Sequence, residues 1–174
     1  SNDLDLLCDL IGRAQAAGAD EADAMFVRSA AMDATWRLGR NEGVERSEAN
    51  DLGLRVLIGK RQAVVSTTDL GPAALSEIVE RALAMAKAVP EDPHCGLPDG
   101  DRLATAIVDL DLADHSEPSS EDLLAWAEEA EDAARAVDGI TNSEGAEAGW
   151  SEGRVALAAS NGFAGAYRGT RFGV

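Results

Sequence analysis

Positive charge is what this sequence lacks most. Its 174 residues include 15 lysines and arginines against 32 aspartates and glutamates, which gives a net charge of −17 at pH 7. Nucleic-acid binding needs a basic footprint that displaces counterions from phosphates, and no stretch of the chain is rich in lysine or arginine. We therefore expect no direct binding of DNA or RNA. The acidic surface instead favours solubility and basic partners.

Long apolar runs are also missing. No run approaches the roughly 20 residues that cross a bilayer. The first five residues, Ser-Asn-Asp-Leu-Asp, are acidic, whereas a signal peptide begins with a basic region and continues into an apolar one. We expect no membrane association.

Cysteine is scarce, with two residues in the chain. Cys8 lies among leucines and is expected to pack as a small hydrophobic side chain. Cys95 lies in a loop rich in proline and glycine. A disulfide between Cys8 and Cys95 is an alternative, but no feature of the sequence supports it. Two unpaired thiols without a signal peptide indicate a reducing compartment, so we expect a cytoplasmic protein.

Complete sets of chemical ligands are absent from the sequence. His94 and Cys95 are adjacent, so their side chains diverge on an extended chain, and His115 is far along the loop. A metal site built from Asp92, His94 and His115 is an alternative, but the ligand spacing favours solvated loop residues. No nucleophile elbow surrounds Ser66 or the threonines after it. We assign no residue to catalysis, cofactor binding or a metal.

Clustered acids and glycines have simpler explanations than catalysis. The acidic clusters are interpreted as solvated faces, because acid–base chemistry needs carboxylates whose environments separate their pKa values. The glycine-rich stretches 149–153 and 162–169 match no phosphate-binding loop and are expected to serve turns and a closely packed strand. The acids in question are Asp109, Asp111, Asp114, Glu128, Glu129, Glu131 and Asp132.

The tryptophans indicate packing more than binding. Trp36 lies on the apolar side of a predicted strand and is expected in the core. Trp126 is off the main stripe of its helix, where it could face a partner or the edge of the core. Trp150 could join them in a peptide-stacking surface.

Three amphipathic helices are predicted, over residues 3–17, 72–89 and 119–137. Each shows apolar residues at helical spacing. Gly18 is a natural end for the first, Pro72 opens the second, and Ser119 with Asp122 resembles a capping box at the third. Residues 90–118 are expected to form a long irregular connection with one short strand near 106–108.

The remaining residues alternate as strands do. The first group is predicted over 32–38, 44–49, 54–58 and 62–67, with turns at 39–43, 50–51 and 59–60. The second group is predicted over 140–150, 154–160 and 163–171, with Asn161-Gly162 as a hairpin turn. The fold class is α+β, with antiparallel meanders and packed helices. A duplication of the helix–meander unit over 3–67 and 119–173 is a hypothesis. Because the chain ends inside a predicted strand, we expect 1–174 to be a single N-terminal domain of a longer protein.

An ordered set of strings resembles the TldD/PmbA family across essentially the whole chain. Each string is weak alone, but their order and spacing are fairly specific. The match is closer to the PmbA/TldE branch, whose older label is modulator of DNA gyrase. The strings are Arg40-Asn41-Glu42-Gly43-Val44-Glu45, Leu52-Gly53-Leu54-Arg55-Val56, Ser66-Thr67-Thr68-Asp69-Leu70, Asp92-Pro93 with Gly96-Leu97-Pro98-Asp99, Asp109-Leu110-Asp111-Leu112, Ile140-Thr141-Asn142-Ser143-Glu144-Gly145-Ala146 and Ser160-Asn161-Gly162-Phe163 with Gly165 and Tyr167.

The resemblance implies a role in a cytosolic metallopeptidase complex that degrades or trims unfolded peptides. In such complexes zinc lies on TldD-type subunits, in a His-Glu-x-x-x-His segment after the N-terminal domain, and PmbA-type subunits lack that motif. No family catalytic residue can be transferred to a position here. The implied partners are a TldD-like catalytic subunit and unfolded peptides, with either homo- or hetero-oligomers.

Three hypotheses follow. The first is a structural and substrate-guiding domain that is itself inactive and needs no cofactor of its own, with zinc on the partner. The second is an acidic, non-enzymatic interaction module that acts on gyrase only indirectly. The third is a metal-binding domain that uses the 92–115 loop.

Overall fold

The computed structural model describes residues 2–174 and confirms the α+β class. Helix α1 spans Asn2–Ala16 and is followed by β1 (Glu21–Arg37), β2 (Arg40–Ile58) and β3 (Arg61–Thr67). Helix α2 spans Pro72–Ala88, and one 3₁₀ turn covers Gly100–Arg102. Helix α3 spans Ser120–Arg135 and precedes β4 (Ala146–Ala159) and β5 (Ala164–Gly173). No helix in this described part is both long and apolar enough to cross a membrane.

The strands form one antiparallel sheet in the order β3-β2-β1-β4-β5. The pairing of β2 with β3 runs from Leu52 opposite Thr67 to Ile58 opposite Arg61. Strands β3 and β5 are therefore the two edges. A helix followed by antiparallel strands occurs twice, with three strands after α1 and two after α3. Whether this reflects a duplication stays a prediction.

The strand boundaries correct several sequence predictions. The first strand begins at Glu21 rather than at residue 32, and the turn predicted over 39–43 covers only residues 38 and 39. Asn50-Asp51 is not a turn but lies inside β2, so residues 22–68 contain three strands rather than four. Nearly all of residues 40–51 are exposed on both faces of the strand. Their sequence therefore lacks the alternation of apolar and polar residues that predicts a strand. The two strands predicted over 140–150 and 154–160 are one strand, β4, which begins at Ala146. Residues 106–108, predicted as a short strand, form none.

The helix ends follow the predicted chemistry. Gly18 has φ +113° after α1, in the region that favours glycine. Pro72 occupies the first turn of α2. At α3, the Ser119 hydroxyl accepts a hydrogen bond from the Asp122 N–H, and the Asp122 carboxylate accepts one from the Ser119 N–H. This reciprocal cap confirms the predicted capping box.

The chain divides into two compact units. The first contains the residues up to Arg28, Ala49–Asp109 and Arg154–Tyr167. Its core packs α1 and α2 against strand residues such as Phe26 and Leu54. The second contains Ser29–Glu48, Leu110–Gly153 and Arg168–Val174. Its core packs α3 against strand residues of β1 and β4; the buried members are Met32, Ala34, Leu123, Ala127, Ala148 and Trp150.

The burial of the two cysteines differs from the prediction. Cys8 was predicted to pack, but it is exposed, because the buried stripe of α1 passes through Leu7, Leu10, Ile11 and Ala14. Cys95 is buried in the loop, where its carbonyl accepts a hydrogen bond from Lys60 Nζ at 3.2 Å. Both thiols are free.

Candidate functional site

The three candidate metal residues, Asp92, His94 and His115, form no common site. The His94 backbone N–H donates to the Asp92 carboxylate at 2.9 Å, and His115 Nδ1 lies 3.1 Å from Arg168 Nη1. Among residues 2–174, no three His, Cys, Asp or Glu side chains lie close enough to share a metal ion. The described residues therefore do not fit a zinc site.

The hydroxyls at the end of β3 initiate a turn. Thr67 Oγ1 accepts a hydrogen bond from the Asp69 N–H at 3.1 Å, and the Asp69 carboxylate accepts one from the Gly71 N–H at 2.7 Å. These contacts lead the chain into α2. They agree with the interpretation of these residues as a turn rather than a nucleophile.

One acid departs from the predicted solvated faces. Glu131 is 1% exposed, although Glu128 and Glu129 on the same helix are exposed as predicted. Its carboxylate accepts hydrogen bonds from the N–H groups of Leu38 at 2.8 Å and Gly39 at 3.2 Å. The Leu38 bond first, and then Ser143, Gly39 and Arg135, keep the pKa of Glu131 below its ordinary value.

The reason for this burial is the β1–β2 turn. Leu38 and Gly39 both have positive φ, 49° and 75°, as a type I′ hairpin requires. Their N–H groups point to one place, where a carboxylate satisfies both. The tertiary approach of α3 to this turn has no signal in the local sequence, so sequence reasoning missed Glu131. Its role is structural.

An open groove lies on the sheet within the second unit. It has a volume of about 420 Å³ and is lined by three strands: Ala31 and Asp33 of β1, Glu147, Gly149, Trp150 and Ser151 of β4, and Arg171, Phe172, Gly173 and Val174 at the end of β5. Side chains alternate across a strand. The odd-numbered residues of β1 and β4 therefore lie on the face opposite the one that packs on α3.

The floor of the groove is made of small residues. A Cβ built on Gly149 would clash with Asp33 Oδ1, so the Asp33 carboxylate lies directly over the Gly149 backbone. This confirms the expectation that the glycines of this stretch allow close packing. Carboxylates, a guanidinium and an aromatic ring surround this floor.

The long connection covers part of the neighbouring sheet edge. The Thr170 N–H of β5 donates to the Leu112 carbonyl at 2.9 Å, and the Asp114 N–H donates to Thr170 Oγ1 at 2.8 Å. Arg168 joins the side chains of Glu152 and His115. Beyond Thr170, Phe172 is 41% exposed at the groove.

The tryptophans are only partly as predicted. Trp150 is buried and Trp36 packs against the same core cluster, half-buried. Trp126 is 37% exposed, at the edge of the core. The three do not form an exposed stacking surface.

Comparisons with known proteins identify the same family for both parts of the chain. Residues 22–86 match the model of PmbA/TldA metallopeptidase domain 1, and residues 113–174 match the model of the PmbA/TldA metallopeptidase central domain. Metalloprotease PmbA of Escherichia coli O157:H7 is 35% identical over 127 residues, which cover 72% of this chain and 28% of that protein. This chain thus spans less than a third of that relative.

Solved structures share the fold. TldE from Thermococcus kodakarensis superposes with a TM-score of 0.77 at 20% identity, over 95% of this chain and 37% of that one. A candidate modulator of DNA gyrase from Bacteroides thetaiotaomicron gives 0.81 at 20% identity, over 99% and 40%. At these identities the likeness concerns the fold alone.

Proposed function

This chain belongs to the PmbA/TldD metallopeptidase family, and from that premise we propose that it guides unfolded peptides within a cytosolic peptidase complex without cleaving them. The observation that supports the proposal is the groove of the second unit. Arg171 and Phe172 line it beside the carboxylates of Asp33 and Glu147. An extended peptide can lie in such a groove with its polar groups against the carboxylates and Arg171 and its apolar groups against Phe172.

Hydrolysis in this proposal belongs to a TldD-like subunit that carries zinc. The described residues of this chain include no ligand set for the ion. When bound, zinc would activate water and polarise the scissile carbonyl on that partner. The contribution of this chain is to hold an unfolded segment in an extended form.

A second candidate is an acidic interaction module with no part in proteolysis. The net charge of −17 favours it, because such a field attracts basic proteins. Any effect on gyrase would then pass through a protein partner rather than through DNA. Pull-down at low and high salt tests this candidate, since a purely electrostatic partner is lost when salt screens it.

Peptidase reconstitution tests the main proposal. The full-length protein is incubated with an unfolded peptide, alone and with a TldD-type subunit, with and without a metal chelator. We expect chelator-sensitive cleavage only in the mixture. Strong cleavage by this chain alone that resists the chelator would contradict the proposal.

Peptide binding by this chain tests the groove itself. Phe172→Ser removes an apolar side chain from the groove, and we expect the dissociation constant of a labelled unfolded peptide to rise by about tenfold. Val64→Ser is the matched control, because Val64 is 61% exposed on β3, the other edge of the sheet. Equal affinities for wild type and a folded Phe172→Ser would place the peptide elsewhere.

A further inference from the structure

Strand β3 is an outer strand of the sheet and pairs on one side only, with β2. The two strands are joined by the two-residue turn Gly59-Lys60, in which Gly59 has φ +56°. A turn of this length is flanked by a hydrogen-bonded pair, here Ile58 and Arg61. The register then continues without interruption to Leu52 opposite Thr67. The alternation of hydrogen bonds is therefore fixed along the whole of β3.

This alternation divides the backbone groups of β3 into two sets. Residues 61, 63, 65 and 67 exchange hydrogen bonds with β2, so Gln62, Val64 and Ser66 point their N–H and C=O groups away from the sheet. Arg81 of α2 donates to the Ser66 carbonyl at 3.3 Å, which agrees with this direction. Within residues 2–174, no hydrogen bond reaches the outward backbone groups of Gln62 or Val64. We call residues 62–66 the β3 edge.

The side chains of the β3 edge also alternate. Ala63 and Val65 are buried in the core of the first unit, whereas Val64 is 61% exposed on the opposite face. The connection after α2 hydrogen-bonds to the Lys60 carbonyl, in the turn before the edge. It does not bond to the edge itself, so Val64 and the outward backbone groups are open to another chain.

The composition of the β3 edge does not protect it against pairing. It contains no proline, no lysine and no other charged residue, and these are common means of blocking an edge strand. Acids are absent from it although the chain has 32 of them among 174 residues. Two copies that each carry −17 repel one another at long range, but no like charges are set face to face where two β3 edges meet.

The outward residues have a self-complementary order. When a second β3 edge runs antiparallel and is centred on Val64, Val64 lies opposite its own copy and Gln62 lies opposite Ser66 at both ends. The two valines then form an apolar pair, and each glutamine amide faces a hydroxyl. Apolar and hydrogen-bonded cross-strand pairs both stabilise adjacent strands.

Neighbouring registers lose part of this match. Outward residues must lie opposite outward residues, so the copy can shift only in steps of two. One shift sets Val64 opposite Gln62, and the other sets Val64 opposite Ser66. Each shift also leaves one outward residue of each strand opposite a residue beyond β3, Lys60 or Thr68. The register centred on Val64 is therefore the one that uses all three outward residues of both strands.

Helix α2 extends the contact beside the β3 edge. Arg81 reaches the edge at Ser66, and Met85, four residues further, lies on the same side of the helix. Met85 is 44% exposed. An antiparallel pair of edges places the two copies of α2 on one face of the joined sheet, so this apolar side chain adds to the contact that the two strands make.

We propose that the β3 edge is a self-association surface, on which a second copy of this chain adds its own β3 edge antiparallel in the register centred on Val64. The occupant is a second copy because the order of outward residues matches itself and because the edge carries no acids. The same surface is used by both chains, so the assembly closes at two. One pair of short strands buries less surface than a standard interface, so the dimer is weak and depends on concentration.

Sedimentation equilibrium of this chain tests the proposal near physiological ionic strength, where repulsion between the copies is screened. Val64→Lys sets two ammonium groups opposite each other at the centre of the contact, and we expect the dimer dissociation constant to rise by about tenfold or more. Val64→Glu has the same effect with two carboxylates. An equimolar mixture of the two variants should form a mixed dimer with a dissociation constant near that of the wild type, because residue 64 lies opposite itself.

Val108→Lys is the matched control. Val108 is 70% exposed in the connection of the same unit, so the substitution makes the same chemical change and the same change in net charge away from the β3 edge. It should leave the dimer unchanged. The peptide-binding comparison with Val64→Ser is made far below the dimer dissociation constant, where both proteins are monomers.

Amide exchange gives a second measurement of the same contact. The N–H groups of residues 62, 64 and 66 should gain protection as the protein concentration rises, because they bond to the second copy. The N–H groups of residues 63 and 65 bond to β2 and should be protected at every concentration.

Several results would overturn the proposal. A chain that stays monomeric up to about 1 mM has no such surface. A dimer that Val64→Lys and Val108→Lys weaken equally responds to net charge rather than to register. A mixture of the two Val64 variants that associates no better than either alone shows that residue 64 does not lie opposite itself. Protection of residues 62, 64 and 66 that appears only on addition of an unfolded peptide assigns the edge to peptide binding instead of a second copy.

Discussion

At the scale of single residues, Glu131 and Gly145 make contacts on which the second unit depends, and the neighbouring sequence does not indicate these contacts. Glu131 joins α3 to the β1–β2 turn through two backbone N–H groups. Gly145 has φ +106°, and a Cβ there would lie 2.9 Å from the Trp36 carbonyl oxygen. Glu131 accepts from two N–H groups of the turn, and Gly145 leaves room for the Trp36 carbonyl oxygen.

Glu131 should make stability depend on pH in the acidic range. Its pKa in the folded protein lies below the ordinary value of 4.5, so the unfolded chain binds the proton more tightly. The contribution is therefore complete above the unfolded value and is lost as pH falls through the lower, folded value. Denaturant unfolding should show Glu131→Gln less stable than wild type at pH 7, with the difference shrinking below about pH 4.5.

The control for this measurement is Glu129→Gln, an exposed residue of the same helix. It makes the same chemical change without touching the turn, so its stability difference should be small at both pH values. A Glu131→Gln difference that is constant from neutral to acidic pH would show that the carboxylate charge is unimportant.

Gly145→Ala should destabilise the chain by about 1–3 kcal/mol, because the residue must keep a positive φ beside a carbonyl oxygen. Gly153→Ala is the matched control. Gly153 lies in β4 with no heavy atom within 4 Å of its built Cβ, so its effect should be much smaller. Thermal or urea unfolding of the two variants measures the difference, and equal stabilities would contradict the geometry at Gly145.

At the scale of secondary-structure elements, the helices were predictable and the strands only in part. Helical spacing and end signals act within one or two turns, so α1, α2 and α3 follow from local sequence. Strand lengths depend on pairing partners that lie far along the chain. Polar residues inside β2 therefore resembled a turn at Asn50-Asp51, although the strand continues through them.

The capping box of α3 gives an element-scale prediction. The Ser119 hydroxyl accepts from the Asp122 N–H at 3.1 Å, and Ser119→Ala should cost about 1 kcal/mol in the free energy of unfolding. Ser120→Ala is the control, since the Ser120 hydroxyl contacts only the neighbouring Glu121 carboxylate. If both variants lose the same stability by chemical denaturation, the cap does not stabilise α3.

At the scale of the whole molecule, the net charge determines which chains are attracted at long range. With −17 spread over 174 residues, the surface attracts basic chains and repels acidic ones at long range. Under the proposed function, this field would concentrate basic unfolded peptides near the groove before any specific contact forms.

Salt should therefore weaken the binding of basic peptides. Raising ionic strength from about 0.01 M to about 1 M shortens the screening length roughly tenfold, so the dissociation constant of a Lys-rich unfolded peptide should rise steeply. A Glu-rich peptide of equal length is the control and should bind weakly throughout, or slightly better in high salt. Fluorescence anisotropy of the labelled peptides measures both. A salt-independent constant for the basic peptide would show that contacts in the groove, rather than charge, determine affinity.

The sequence by itself determined the α+β class, the three helices with their ends, the acidic character and the family, because each depends on local spacing, composition or an ordered set of short strings. That residues 1–174 make one domain stays a prediction. Tertiary structure alone decided the lengths of β2 and β4, the burial of Glu131 and Cys95 and the groove of the second unit. Each of these arises where segments distant in sequence meet, or fail to meet, and no local pattern records such an approach.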